Sequence, residues 1–492
     1  MNLRFIIKML GLVFLLETVF MAAASVVAFA YGEADFRPFC IASISICIAG
    51  ILFYLLGRKD DEHSAGPREG MIVVALTWVC LSLFGMLPYY LGGYAGSITD
   101  AYFETMAGFT TTGSSIMTDI EALPHGILFW RSLTQWQGGL GVVVFTTALL
   151  PLFGGGVSQM FEAEVTGTGI SHERFRPRIT QVAKMLSGIY LLLTALLSLL
   201  LAIGPMNIFD AVNHAMATVS TGGFSTKNAS LSYWNSAYLE YVEMMFMFIG
   251  SVNVTLLYFL LRGNFRKFFA DEELRWFAGI ILIFVAATAA WLLSNGIVNL
   301  PNGIPAAAEE LLRKSAFQVI SLISSTGFMS DDYVPWGSFF WLLAMMLMFI
   351  GGCTGSTSGG LKAGRFAIVN KNLSNVFRRQ LHPQAILPVR MNGHTISSDN
   401  VYRCLAFTFI YIALAMTGSL ALTLCGFNFD EAIAASLSAI SNIGPGLGDH
   451  GPDSTFAGAS APAKWILSFL MLTGRLEIFT VVMLLAPGFW KR

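Results

Sequence analysis

Four short apolar stretches of this chain each end in a run of small or hydroxyl residues closed by a glycine. They are Thr110-Thr111-Thr112-Gly113, Val219-Ser220-Thr221-Gly222, Ser324-Ser325-Thr326-Gly327 and, more loosely, Ser441-Asn442-Ile443-Gly444. The glycines lie 109, 105 and 117 residues apart. The stretches themselves, 98–112, 208–221, 309–326 and 430–443, are too short to cross a bilayer, which takes about 20 apolar residues. A helix of that length enters halfway and turns back. Irregular backbone at membrane depth is tolerated only where protein encloses it or water fills the space it lines. Four such turns about one axis would make a ring of carbonyl oxygens, the ligand set that replaces the water shell of a potassium ion. The backbone carbonyls of Thr111, Thr112, Ser220, Thr221, Ser325, Thr326, Asn442 and Ile443 are the candidate ligands, with Gly113, Gly222, Gly327 and Gly444 as the turn glycines.

The bulk of the chain fits this setting. Of 492 residues, 55% are hydrophobic and 12% charged, and the mean hydropathy is +0.65; a soluble domain carries about 25% charged residues. Long apolar segments fall near 8–31, 36–57, 70–93, 127–151, 181–204, 237–261, 276–299, 337–361, 401–425 and 463–487. The first is longer than the apolar core of about 7–15 residues in a signal peptide, so it is expected to be a retained helix. The predicted fold is an all-α integral membrane protein. Four pseudo-symmetric units, each a span, a re-entrant helix and a closing span, surround a central pore, and two extra helices precede them. The divisions are 1–62 (the N-terminal pair), 63–160, 161–268, 269–380 and 381–492.

With both termini inside, six of the 29 Lys and Arg fall outside (Arg37, Arg131, Lys227, Arg313, Lys314, Lys464), Arg475 lies within a span, and the rest are cytoplasmic. This follows the positive-inside tendency. An acidic outer mouth results, which concentrates cations. Asp100, Asp210 and Asp430 near the starts of three re-entrant helices read first as caps. Inner loops at 152–180 (Arg174, Arg176, Arg178), 262–275 and 362–400 (Arg378, Arg379) are basic. The six cysteines mostly lie in apolar segments and form no CxxC, so neither a disulfide framework nor a metal site is expected.

Each closing span has a glycine near its middle: Gly138-Gly139, Gly250, Gly351-Gly352 and Gly474. Close helix packing and a constriction below the turns explain them equally well. The third span is irregular. Gly351, Gly352, Gly355, Gly359 and Gly360 fall within ten residues, and each glycine costs a helix interior about 1 kcal/mol. The stretch is expected to unwind below the turns and obstruct the path, with little holding it. It is not a nucleotide-binding P-loop, because Leu361 stands where the lysine belongs. Arg475, deep in the last span, is a functional candidate by default. It reads as a pore-facing cation, with an ion pair to Glu243 as the structural alternative.

In these features the chain resembles the Trk/Ktr/HKT superfamily, and within it the TrkH/TrkG-type bacterial potassium uptake subunits. The most specific segments are Ala107–Gly113, Thr218–Phe224 and Asn442–Gly448. The resemblance implies an inner-membrane potassium permease, a homodimer in lipid, and a cytosolic nucleotide-binding regulatory subunit of the TrkA type. It also implies potassium selectivity where all four turns carry glycine; a serine in the first goes with sodium passage. The fourth turn departs from the Ser/Thr-Thr-Gly form. Passive flow, proton-coupled symport and a less selective potassium/sodium pathway are alternatives the sequence leaves open. An inverted-repeat transporter would have two units of opposite topology, and a membrane enzyme would need a polar catalytic cluster; neither pattern is present.

Overall fold

The computed structural model describes residues 1–58, 66–144, 179–296 and 304–490. The basic segment containing Arg174, Arg176 and Arg178 and the expected boundary near residue 160 lie outside them. Among the described residues the chain is mostly helical, with one short hairpin as its strands. Among the described residues six helices are long and apolar enough to cross a membrane: Leu3–Tyr31, Phe36–Gly57, Arg68–Leu91, Lys184–Ile203, Glu272–Ser294 and Ser398–Leu424. Two bent pairs, Ala237–Gly250 with Val254–Leu261 and Ala461–Arg475 with Phe479–Leu485, raise this to eight if each pair is one span.

Those bends depart from the sequence expectation of continuous spans. The pairs turn by 110° and 117°. In the second, Glu477 and Ile478 both take positive φ, a conformation that costs a non-glycine residue about 1–2 kcal/mol. The third closing helix, Ser338–Ile350, stops at Gly351. The first runs on as His125–Val144, where Gly138 serves close packing: a Cβ there would overlap the carbonyl of Phe109. Gly474 meets the carbonyl of Ile440 in the same way. Segment 362–400, which the sequence suggests is a loop, forms the polar helix Ala363–Leu381 and a hairpin pairing Arg390–Met391 with His394–Thr395. Asn392 and Gly393, both at positive φ, supply the Asn-Gly turn that two-residue hairpins favour.

Between the spans lie the four helices that lead into the glycine turns: Ile98–Phe109, Ile208–Val219, Ile304–Ile323 and Phe429–Ser441. The third begins earlier than its apolar pattern suggests. Their N-terminal caps are Ser97, Asn207 and Asn428 rather than the aspartates. The Ser97 hydroxyl accepts from the Asp100 amide at 3.1 Å, and Asn207 Oδ1 from the Asp210 amide at 2.7 Å. Asn428 forms a capping box with Glu431. The aspartates sit in the first turn, where they still complement the helix dipole, and Asp100 additionally pairs with Lys464 at 2.6 Å.

Candidate functional site

These four helices end in one and the same backbone turn. Thr111, Thr221, Ser325 and Asn442 have φ of 51, 54, 56 and 54°. Each donates its amide to the carbonyl three residues back (Gly108, Thr218, Leu322, Ala439), and the next amide reaches five back (Ala107, Ala217, Ser321, Ser438). This is a helix C-terminal motif that normally uses glycine or asparagine at the left-handed position. Threonine or serine there is strained, and strain of this kind is held in place by surrounding structure and gathers at functional sites. Asn442 needs less of that support, because asparagine tolerates the conformation. The fourth turn therefore keeps the backbone of the others despite its different sequence.

In the second turn the register runs one residue later than the sequence suggests. Thr221 matches Thr111, so Gly222 stands at the position of Thr112, Thr326 and Ile443. Gly223, with φ of 79°, matches Gly113, Gly327 and Gly444 at 82, 77 and 111°. Ser220 is the last residue before the turn, not part of it. A side chain on any of the four glycines would overlap a neighbouring carbonyl: Gly113 meets Gly222 O, Gly223 meets Thr326 O, Gly327 meets Ile443 O and Gly444 meets Thr112 O. The contacts run from first segment to second, third, fourth and back to the first, a closed cycle. The same four glycines line a cavity of about 130 Å³, together with Ser114, Lys227 and Asp453.

A buried ion pair braces this cavity. Arg131, assigned by sequence to the outer side of the membrane, is 1% exposed and bonds Glu104 Oε1 at 2.8 Å. Its guanidinium also donates to Ser225 O at 3.0 Å and lies over the Phe224 ring. Glu104 accepts the Ile116 amide at 2.8 Å. Removing one partner of a buried pair strands the other charge and costs about 3–5 kcal/mol. Glu104→Ala is expected to lower the thermal unfolding midpoint in detergent sharply. Glu104→Gln, which retains hydrogen bonding, should lower it less.

Residues 351–360 lie directly against the turns and are mostly buried. They are held more firmly than the sequence suggests. The Ser325 hydroxyl donates to Ser358 Oγ at 3.0 Å and accepts the Gly359 amide at 2.7 Å. Thr221 Oγ1 donates to Thr357 Oγ1 at 3.3 Å, and Thr357 Oγ1 donates to Gly250 O at 3.1 Å. The Cys353 amide donates to Ser251 O at 2.8 Å. Glu273 Oε1 accepts from the Thr354 and Gly364 amides at 2.6 and 2.9 Å, and Lys362 Nζ donates to Ser358 O. Glycine is required where the strand passes under the fourth turn, since a Cβ on Gly359 would overlap Ser441 O. The five glycines thus serve tight packing and turns, while the hydroxyls between them do the anchoring.

Arg475 is 6% exposed and joins this loop to the first closing span: Nη1 donates to Thr357 O at 2.7 Å and Nη2 to Gly138 O at 3.0 Å. Glu243 instead accepts from Thr218 Oγ1 at 2.7 Å, so the proposed Arg475–Glu243 pair is not formed. Glu477 faces Arg365 at 2.8 Å. Arg475 and the loop, singled out separately in the sequence, are one assembly.

A protein-family model described as a cation transport protein, TrkH, matches residues 39–491. The chain belongs to the TrkH family. It is 34% identical to the Trk system potassium uptake protein TrkH of Salmonella typhimurium over the whole of both chains. It is 30% identical to the TrkG protein of Escherichia coli over 100% of this chain and 99% of that one. The crystal structure of the potassium transporter TrkH from Vibrio parahaemolyticus superposes with a TM-score of 0.90 at 30% identity, covering 100% of each chain. This TrkH-family chain is accordingly a multi-pass membrane protein whose relatives are named as transporters.

Proposed function

We propose that the chain takes up potassium ions across the bacterial inner membrane through a pore on the axis of four pseudo-symmetric units, with both termini cytoplasmic. The closed cycle of glycine-to-carbonyl contacts carries this proposal. In this reading four like turns stand edge to edge, the carbonyls of Thr111, Thr112, Thr221, Gly222, Ser325, Thr326, Asn442 and Ile443 are the ion ligands, and Gly113, Gly223, Gly327 and Gly444 space them. The loop at 351–360 with Arg475 forms the gate below. The names of the relatives support potassium as the substrate. Expression in a bacterial strain lacking its own potassium uptake should restore growth on low potassium and rubidium uptake. Failure of both with the folded protein in the membrane would overturn the proposal.

The helix Ala363–Leu381 leaves the loop and ends with Arg378 and Arg379, both exposed. It is a mechanical extension of the gate into the basic inner face, where we place a cytosolic TrkA-type nucleotide-binding subunit acting on a homodimer of this chain. Charge reversal of both arginines should weaken co-purification of that subunit about tenfold or more, the loss expected when two charge contacts of about 1 kcal/mol each become repulsive. Flux through the isolated pore should not change. Undiminished recovery of the subunit would exclude this helix as its dock.

A further inference from the structure

Gln135 is fully buried in the first closing helix and grips the second turn at both of its amide atoms. Its Nε2 donates to Gly222 O at 2.6 Å, and its Oε1 accepts the Phe224 amide at 3.0 Å. The two bonds straddle Gly223, the positive-φ glycine of that turn. Gln135 also explains an oddity of sequence. The second turn alone carries two adjacent glycines, and a side chain on Gly222 would overlap the Gln135 amide. At the matching position of the other turns stand Thr112, Thr326 and Ile443, all of which have side chains.

Counting back three residues from the mid-span glycines gives the corresponding positions in the other closing spans. They are Met247, Met348 and Met471, each as buried as Gln135. Methionine has nearly the volume and shape of glutamine without its amide. Three units thus fill this place with an apolar side chain, and one fills it with a hydrogen-bonding group aimed at the turn. Among the described residues no hydrogen bond is made to the carbonyls of Thr112, Thr326 or Ile443; Gly222 O alone of the four is held by a side chain.

We propose that Gln135 is a positioning residue that pins one carbonyl of the ion-binding ring and thereby sets how far the ring can close. It rests on the pore reading above. A sodium ion is satisfied only if the carbonyls draw in by a few tenths of an ångström, and selectivity depends on the number and freedom of those carbonyls. A carbonyl already committed to an amide donor follows the smaller ion poorly, and a donor locked by burial on both sides holds its geometry. Three free carbonyls and one pinned one therefore favour the larger ion.

The test compares Gln135→Met, Gly113→Ser and the double variant Gln135→Met with Gly222→Ala, purified and reconstituted in liposomes, by rubidium and sodium flux. Gln135→Met has three structural precedents in this chain; Gln135→Leu replaces it should it not fold. The expected result for either is a fall of about fivefold or more in preference for rubidium over sodium, with maximal rubidium flux within about twofold of the parent. The double variant gives the second unit the pattern of a methionine facing a side chain. If Gln135 were only a space filler, methionine of nearly equal volume would keep the parental preference in the single variant; preference is expected to be low in the single and the double variant alike, and recovery in the double variant would overturn the proposal. Unchanged preference in Gln135→Met beside a lowered one in Gly113→Ser would overturn the role of Gln135 and leave the pore intact. Unchanged preference in both would remove the pore assignment, and this proposal with it.

Discussion

Replacing Arg475 with alanine should raise cation flux through the isolated protein by between about tenfold and a thousandfold. Two unit charges about 4 Å apart at an effective dielectric near 20 repel by roughly 4 kcal/mol, close to three factors of ten in rate; water in the path reduces this. Geometry adds to the charge. The guanidinium is the tie between Thr357 O and Gly138 O, so the alanine variant frees the loop from the first closing span as it removes the cation. Preference for potassium should stay at its parental value, because the turns above are not touched by Arg475 itself. Rubidium and sodium flux in liposomes without a regulatory subunit measures both. A folded variant with unchanged flux would remove Arg475 from the gate.

Gly113→Ser should reduce the preference for potassium over sodium by about tenfold or more, by a different route. The residue sits at φ of 82°, which a serine adopts at a cost of about 1–2 kcal/mol. Its Cβ would also overlap Gly222 O, so a neighbouring ligand must swing aside. Gly223→Ser and Gly327→Ser should behave alike, since each meets the next carbonyl in the cycle. Competition of sodium against rubidium uptake in a strain without other potassium uptake reads the effect. Parental discrimination in all three would refute the assignment of these turns as the ion-binding ring.

The four turns were legible in sequence because their determinants are local: a short apolar helix, hydroxyl residues and a glycine in succession. The loop at 351–360 and Arg475 stood out for the same reason, each violating what a span should contain. The register of the second turn was not legible. Gly222 and Gly223 are equally able to take positive φ, and what separates them is Gln135, a residue 87 positions away that occupies the space beside Gly222. The bend at Glu477–Ile478 leaves no glycine or proline to mark it. The anchorage of the loop was hidden too, because its serines and threonines find partners on other helices. Segment 362–400 read as a loop from its polarity, but the C-terminal half of its helix is exposed, where a polar surface is what a helix requires. Gln135 itself carried one signal: a polar residue three before the mid-span glycine, where the other spans place methionine.

Thr221 and Ser325 each face two ways. Their backbones shape the turns, and their hydroxyls hold Thr357, Ser358 and Gly359 of the loop beneath. Moving the loop therefore changes the support under two of the four turns, and occupancy of the turns changes the hold on the loop. By thermodynamic linkage such an influence is reciprocal. If opening the gate alters how tightly the ring binds its ion, then ion concentration at the outer mouth must alter, by the same factor, the affinity of whatever opens the gate from the other side of the membrane. A cell with this arrangement would need no separate sensor to report that external ion has run short.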